Sequence, residues 1–253
     1  MEVPSEAIEA LDRATARSKR KSSVNFPIAY VRRGDVLPTA AWLVHSHELR
    51  LKMHMTFVMQ ATAAPYTLPD RPTQSLARWL NLPPASGPRR ANDAKKWLIE
   101  RKLVTRTTLD DGKPGLLLLN PDGSGGSWNG TGARQGTERW VGLPLHFWSN
   151  YWILRLSGRS IAVLMALLEL NGGSRHLDGE FMDGHRKKQY GLSDDTWTRS
   201  TQELEHYNLL RTTPVYWGDD EYERRKRNRY FVVRETLETT PDWSSDWSPR
   251  TAS

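Results

Sequence analysis

The sequence of 253 residues contains no cysteine. This absence excludes disulfides, thiolate nucleophiles and thiolate metal ligands, so the fold must be stabilised by its hydrophobic core alone. Long apolar runs are also missing: the longest, residues 161–168, is far shorter than the roughly 18 residues needed to cross a bilayer. The N-terminus has no hydrophobic segment typical of a secretory signal. These absences predict a cytoplasmic protein without a membrane partner.

The side chains carry an excess of positive charge, with 36 Lys and Arg against 29 Asp and Glu and a formal net charge of +7. Such a balance favours a polyanionic partner. One basic run occupies residues 17–23, inside a segment 1–24 that we expect to form a basic flexible arm, either helical or disordered, that searches for phosphates. Residues 5–16 have helix-forming composition, and a solvated leader is the alternative. A strand is expected directly after it, at residues 28–33.

Part of the sequence occurs twice. Two copies predict two similar domains, and the echo continues downstream at one constant spacing. The first set of paired residues is Leu37 with Leu143, Pro38 with Pro144, Trp42 with Trp148, and Leu-Arg-Leu at 49–51 with the same triplet at 154–156; the second set is Leu98 with Leu204, Leu103 with Leu209, and Val104 with Leu210.

The first copy predicts three helices and a hairpin. A first helix is expected from about Leu49 to Ala64, where a proline follows, and a second from a Thr73 cap through Leu80. A third is expected from Pro88 to Arg101, and residues 116–119 form the returning strand of the hairpin. Arginine and asparagine are the side chains that read guanine and adenine edges. The candidate DNA-binding residues here are Arg89, Arg90, Asn92, Lys95 and Lys96 on the third helix and Lys113 in the hairpin turn.

The second copy follows a glycine-rich segment, residues 121–138, which we expect to be a flexible tether. Ser157 is predicted to cap an apolar helix through Leu170, and Ser193 a third helix after a short one at 185–190. A basic hairpin follows between strands near 215–217 and 230–233, and an acidic segment, 218–221, precedes its basic run. The candidate DNA-binding residues of this copy are Thr196, Thr198, Arg199 and Gln202 on the helix and Arg224, Arg225, Lys226, Arg227 and Arg229 in the hairpin.

Three helices followed by a hairpin, together with residues 97–104 and their counterparts 203–210, resemble the winged-helix-turn-helix family over roughly 37–120 and 140–236. The resemblance implies a mainly α fold with small β-wings (α+β), in two tandem domains at 25–120 and 139–238, with a disordered tail at 239–253. In such families a glycine usually ends the recognition helix, whereas Lys102 and Asn208 occupy that place here. Tandem winged helices also resemble plasmid replication initiators, in which one domain can dimerise while the other binds repeated sites.

Three functions remain open at this point. The first is a sequence-specific binder of double-stranded DNA that regulates transcription and associates with the nucleoid; the second is a replication initiator. The third is a protein-interaction module without DNA binding. A homodimer is possible in each case, and the tethered domains are expected to dock separately.

Catalysis, metals and cofactors are not expected, because no phosphate-cradling glycine motif or nucleophile elbow is present. Two polar clusters contain residue types that bind metals, but the spacing of the first matches no recognised site and the composition of the second is also that of a loop between helices. They are His45, His47, Glu48 and His54, and His176, Asp178, Glu180, Asp183 and His185.

Overall fold

The computed structural model describes residues 5–128, 139–171, 179–217 and 225–248. In this part of the chain, α-helices are combined with three small sheets whose strands all pair antiparallel. The coarse fold class predicted from the sequence, mainly α with small β elements, is therefore confirmed. Among the described residues, no helix has both the length and the apolar character to span a bilayer.

The N-terminal segment is folded onto the protein. Helix α1 (Ser5–Arg17) buries alanines and a leucine at helical spacing, Ala7, Ala10, Leu11 and Ala14, and this apolar face packs on the rest of the molecule. Strand β1 (Ser23–Pro27) and one helical turn, α2 (Ile28–Val31), follow. The helical form expected for this arm is therefore confirmed, whereas its flexibility is wrong for the described residues 5–24, because α1 has an apolar face to bury. The strand predicted at residues 28–33 is also wrong. Residues 28–31 form α2, and the strand, β1, lies before them.

One arginine of the basic run, Arg20, binds the C-terminal end of the helix Glu48–Gln60. The guanidinium of Arg20 donates to the backbone carbonyls of Val58, Met59 and Ala61, at 2.8, 2.9 and 3.0 Å. These carbonyls lie at the end of a helix, where the last four C=O groups have no partner within the helix. Arg20 is therefore used to end that helix and is not free to contact a phosphate.

The first copy of the repeat contains four helices and a three-stranded sheet. The third main helix was predicted within one residue of its observed bounds, whereas the cap expected from Thr73 is not made: Pro72 occupies the cap position, without a side-chain hydrogen bond. The sheet order is β2-β4-β3. The elements are α3 (Thr39–Ser46), α4 (Glu48–Gln60), β2 (Thr67–Pro69), α5 (Thr73–Trp79), α6 (Gly87–Glu100), β3 (Val104–Thr108) and β4 (Pro114–Leu118).

The second copy has the corresponding order. Both predicted caps are confirmed: Ser157 accepts from the backbone N–H of Ser160, and Ser193 from that of Thr196. The sheet order is β6-β8-β7, which matches the order of the first sheet. The elements are β5 (Trp140–Pro144), α7 (His146–Ser149), α8 (Trp152–Arg155), α9 (Gly158–Leu170), β6 (Glu180–Phe181), α10 (Gly184–Gln189), α11 (Asp194–His206), β7 (Leu210–Trp217), β8 (Arg225–Val232) and a 3₁₀ turn at Arg234–Glu238.

The backbone repeats in detail around the third helix of each copy. Left-handed residues precede it, Asn81 with φ 50° and Gly191 with φ 65°, and follow it, Lys102 and Asn208, both with φ 55°. A left-handed residue after a helix lets the chain turn back while satisfying the last carbonyls. The echo seen in the sequence downstream of residue 97 thus corresponds to equivalent backbone.

The upstream echo is less faithful. The first Leu-Arg-Leu triplet, residues 49–51, lies inside α4, whereas the second, residues 154–156, ends α8 before the apolar helix α9 begins. The same triplet of residues therefore occupies different positions in the secondary structure of the two copies.

The two copies pack directly on one another. Strand β1 pairs with β5, and the buried apolar residues of both copies form one contiguous cluster. The backbone N–H of Gly158 donates to the Glu48 carboxylate at 2.8 Å, and Arg32 lies 3.2 Å from the carboxylate of Glu169. Separate docking of two tethered domains, as expected from the glycine-rich segment, is wrong for this arrangement because a shared core fixes their relative position.

The start of that glycine-rich segment is folded. Pro121 accepts a hydrogen bond from the Thr39 hydroxyl, and Trp128 is buried. The predicted flexible tether is therefore wrong for residues 121–128, because an aromatic side chain anchors them. Residues 129–138 lie outside the described part of the chain.

The C-terminal segment also packs on the second copy. The Trp152 indole N–H donates to the carbonyl of Thr239 at 2.9 Å, and Arg155 forms an ion pair with Asp246 at 2.9 Å. The same guanidinium lies over the rings of Tyr207 and Trp243. The disorder predicted from residue 239 is therefore wrong for residues 239–248, while residues 249–253 lie outside the described part.

Candidate nucleic-acid interface

Helix α6 presents a polar stripe to solvent. Its opposite face is buried through small apolar residues and Leu98, which leaves the polar positions at helical spacing on the outside. Arg89 and Lys96 are exposed, and Asn92 is half-buried beside them. Asp93 is also exposed on this stripe and was not noted from the sequence. Three of the five predicted DNA-binding residues of α6 thus lie on or beside one outward face.

The other two predicted residues of α6 have different surroundings. Lys95 is buried, and its ammonium group pairs with the carboxylate of Asp70 at 2.8 Å. Lys95 therefore does not lie on the outward face with the other candidates, because its side chain points towards the loop before α5 and its charge is paired there. Arg90 is half-buried and lines a cavity between the two copies.

Helix α11 presents Thr198 and Arg199 to solvent, with Gln202 half-buried. Arg199 is within hydrogen-bond distance of Asp195, one helical turn earlier, at 2.9 Å. Thr196 is buried, and its N–H and hydroxyl both face Ser193, the cap of the helix. Thr196 is therefore not exposed with the other candidates of α11, since the residue is used in starting the helix.

The first turn of α11 is acidic. Asp194 pairs with Lys187 of the preceding helix at 2.7 Å, and this hydrogen bond lowers the pKa of the Asp194 carboxyl. Asp194 is consequently ionised at neutral pH, and Asp195 lies beside it. The outward face of α11 thus carries more negative charge than that of α6.

The two hairpins extend from the third helices. In the first, Lys113 is exposed at the turn and pairs with Asp111 at 2.8 Å, a hydrogen bond that raises the pKa of Lys113 and lowers that of Asp111. In the second, Arg227 is exposed, whereas Arg229 is half-buried with its guanidinium 4.8 Å from the centre of the Phe181 ring. Arg229 is therefore held on the sheet surface.

The basic run of the second hairpin leads into strand β8. Arg224 lies outside the described residues, and Arg225 and Lys226 are described only as backbone in β8, paired with Trp217 and Tyr216. The predicted contacts of these three side chains with DNA remain predictions.

A cavity of about 460 Å³ opens between the two copies. Arg90 of α6, Arg159 of α9 and Arg199 of α11 line it, together with His45 and His47 from the junction of α3 and α4. Neither Arg159 nor these histidines were predicted as binding residues. Arg159 stands alone in the sequence, in the first turn of an apolar helix, so only the packing of the two copies reveals its basic neighbours.

Two carboxylates at the edge of this cavity are already used by the start of α9. Glu203 accepts from the backbone N–H and hydroxyl of Ser157 and from the hydroxyl of Ser160, each at 2.7 Å. Glu48 accepts from Gly158, as described above. Both carboxylates are therefore oriented towards the helix terminus. Burial lowers the pKa of the nearby Lys52, whereas the charges of Glu48 and Glu203 raise it.

An aromatic cluster also lies beside α6. The guanidinium of Arg50 lies 4.3 Å from the centre of the Trp97 ring, and the Trp42 ring lies 5.1 Å away. Trp97 is half-buried. This contact joins α4 to the third helix, and no motif in the sequence indicates it.

Several residues of the two polar clusters that contain metal-binding residue types have structural partners. His47 caps α4 by accepting from Leu49 N–H at 3.2 Å, and buried His54 lies 3.1 Å from the Tyr30 hydroxyl. Asp183 caps α10, while His176 and Asp178 lie outside the described residues. Within the described ranges, no three His, Asp or Glu side chains are grouped as metal ligands would be.

Comparisons of the chain with protein-family models, with curated proteins and with solved structures find no match.

Proposed function

We propose that each copy is a winged helix-turn-helix domain and that the protein is a sequence-specific binder of double-stranded DNA, acting as a regulator of transcription. The observation that carries the proposal is the twofold occurrence of helix, strand, two helices and hairpin, with the same sheet order in both copies. In helix-turn-helix proteins, the second helix of the motif enters the major groove and its first residues contact base edges. Helices α6 and α11 have this position.

Helix α6 is the stronger candidate for reading bases. Arg89 is exposed near its start, Asn92 lies one turn further, and Lys96 continues the stripe. Arginine can bind the O6 and N7 of guanine with two hydrogen bonds, and asparagine can bind adenine in the same way. The absence of an ion-pair partner for Arg89 among the described residues leaves its guanidinium available.

Helix α11 and its hairpin supply the second half of the proposed interface. Thr198, Arg199 and Gln202 project from the helix, and Arg227 from the hairpin. In this role Arg227 contacts a phosphate, because an exposed guanidinium on a hairpin beside a recognition helix reaches the DNA backbone. Arg199 would have to exchange Asp195 for a base or a phosphate.

The shared core sets the geometry of the proposed target. Because α4 and α9 pack together and Glu48 binds the start of α9, the two recognition helices keep a fixed distance and orientation. A fixed pair of helices selects one composite site with a constant spacing between its two parts. This differs from two tethered domains, which would accept half-sites at variable spacing.

The test is selection of bound sequences from a random pool of double-stranded DNA. We expect the wild-type protein to enrich a two-part motif, and Arg89→Ala to relax the preference in one part, lowering affinity for the selected site by about tenfold to a hundredfold. Arg234→Ala is the control, because Arg234 is exposed at the base of the second hairpin, beyond its last strand residue. No enrichment at any salt concentration would overturn the proposal.

The genomic positions of selected sites would separate a regulator, at promoters, from a replication initiator, at repeats beside an origin.

One observation favours a second candidate function, a protein-interaction module. The exposed face of α11 combines Asp194, Asp195 and Arg199, and a negative surface repels phosphates. If the protein is a protein-interaction module, the double variant Asp194→Lys, Asp195→Lys, which reverses this charge, should still not bind DNA. If DNA binding is correct, the same reversal strengthens it at low salt, because two repulsive charges become attractive.

A further inference from the structure

We propose that the cavity between the two copies is a binding site for a phosphate ester, held by Arg90, Arg159 and Arg199. The volume of about 460 Å³ is within the range of ligand pockets in proteins, which is roughly 300 to 1,000 Å³. The three arginines come from three different helices, α6, α9 and α11. Only the packing of the two copies brings them together.

The arginines are available for a ligand. Among the described residues, no carboxylate forms an ion pair with Arg90 or Arg159, and Arg199 has a single exposed partner, Asp195. Guanidinium groups bind phosphate with paired hydrogen bonds, which makes arginine the preferred residue for such recognition. Three guanidinium groups around one opening therefore favour an anion with several acceptor oxygens.

Two carboxylates, Glu48 and Glu203, also line the cavity, so against the three arginines the lining keeps an excess of one positive charge. Glu203 directs both carboxylate oxygens to Ser157 and Ser160, and Glu48 accepts from Gly158. Because these interactions satisfy the first turn of α9, the backbone amides of residues 157 and 158 are occupied. A ligand in this cavity would be bound by side chains and not by the helix terminus.

Two further residues lie beside the arginines in the cavity. Trp247 of the C-terminal segment lines the cavity and is partly buried against the core. An aromatic face beside arginines offers a surface on which a base can stack. His47 at the rim adds a ring whose Nδ1 already accepts from Leu49, which fixes its orientation.

Phosphate esters of two sources fit this chemistry, the backbone of bound DNA and a free nucleotide. The site itself does not require DNA binding; it rests on the proposed function only where DNA is the source. Arg199 belongs to both the cavity and the exposed face of α11, so a DNA strand leaving that helix could pass the cavity.

The experiment is a calorimetric titration of the full chain at low ionic strength with pyrophosphate, a probe that presents the phosphate oxygens common to both sources of ester. We expect binding by the wild-type protein and at least tenfold weaker binding by Arg159→Gln and by Arg90→Gln. Arg234→Gln, which changes an exposed arginine that does not line the cavity, should bind within twofold of the wild type. Circular dichroism confirms that each variant is folded. Absence of binding, or equal binding by the wild type and both cavity variants, would overturn the inference.

A second titration identifies the source. A duplex of about 20 base pairs, two helical turns, is added to the pyrophosphate complex. Displacement of pyrophosphate, with both ligands weakened by Arg159→Gln, assigns the site to the DNA backbone; unchanged duplex binding by that variant assigns it to a free ester. If pyrophosphate binds and the duplex does not, the site stands and the proposed function fails. If the duplex binds equally to all variants and pyrophosphate does not bind, the site fails and the proposed function stands.

Discussion

Buried His54 should make the protein lose stability in mild acid. The side chain is 0% exposed in α4, and burial lowers the pKa of His54 from 6.5 to about 3. Its Nδ1 lies 3.1 Å from the hydroxyl of Tyr30, whose own pKa is raised by burial. Both groups are therefore neutral in the folded protein over the whole range from mild acid to neutral pH.

The direction of the effect follows from the lowered pKa. In the unfolded chain His54 takes up a proton below about pH 6.5, whereas in the folded protein it does so only near pH 3. The stabilising contribution is complete above pH 6.5 and is lost as the pH falls between these two values. One pH unit corresponds to about 1.4 kcal/mol, so at pH 5 about 2 kcal/mol of unfolding free energy should be lost through this residue.

The measurement is urea unfolding at pH 7.5 and pH 5, followed by tryptophan fluorescence. Because other groups also titrate in acid, the comparison is with His54→Gln, which keeps a polar group near Tyr30 but cannot take up a proton. We expect the wild type to lose about 2 kcal/mol more than this variant. The control, His146→Gln, changes an exposed histidine and should behave as the wild type. Equal losses by the wild type and His54→Gln would refute the reasoning.

Three further predictions concern stability, each measured by urea unfolding. Lys102→Gly should stabilise the protein by about 0.5–1 kcal/mol, because glycine adopts the observed φ of 55° without strain, and Asn208→Gly should change it less, since asparagine tolerates that conformation; a loss with Lys102→Gly would contradict this. Glu203→Ala should destabilise by about 2–4 kcal/mol, because it leaves the buried donors at the start of α9 without their acceptor; a loss below about 0.5 kcal/mol would show that they find other partners. Lys95→Met should destabilise by about 3 kcal/mol, because it leaves the Asp70 carboxylate without its partner in a partly buried setting, and the double variant with Asp70→Asn should recover part of the loss; additive losses would argue against the pair.

The third helices could be predicted from the sequence because their signals are local. Proline near the start of α6, Ser193 before α11 and apolar residues at helical spacing fix both helices within a residue or two. The partner of Lys95 could not be predicted in this way. Lys95 pairs with the carboxylate of Asp70, which lies before α5. A partner so far away in the chain leaves no pattern in the local sequence.

The terminal segments were mispredicted for a related reason. The basic run at 17–23 indicated a flexible arm, although residues 5–16 have helix-forming composition, and the polar composition of residues 239–248 indicated disorder. Their order comes from a few contacts with distant parts of the chain, such as Arg20 on the end of α4 and Trp152 on Thr239. Contacts of this kind become visible only when both partners are folded.

The sequence by itself determined the repeat, the helices around it and the absence of disulfides, because periodicity, caps and composition act over a few residues. It also placed Arg89, Lys96, Thr198 and Arg199 on outward faces, since helical spacing decides which side chains oppose the apolar ones. Tertiary structure alone decided that the copies share one core, that Lys95 and Thr196 serve the fold, and that Arg90 and Arg159 line the same cavity. The physical reason is that burial and ion pairing depend on residues far apart in the chain, whose distances are fixed only when the two copies pack together.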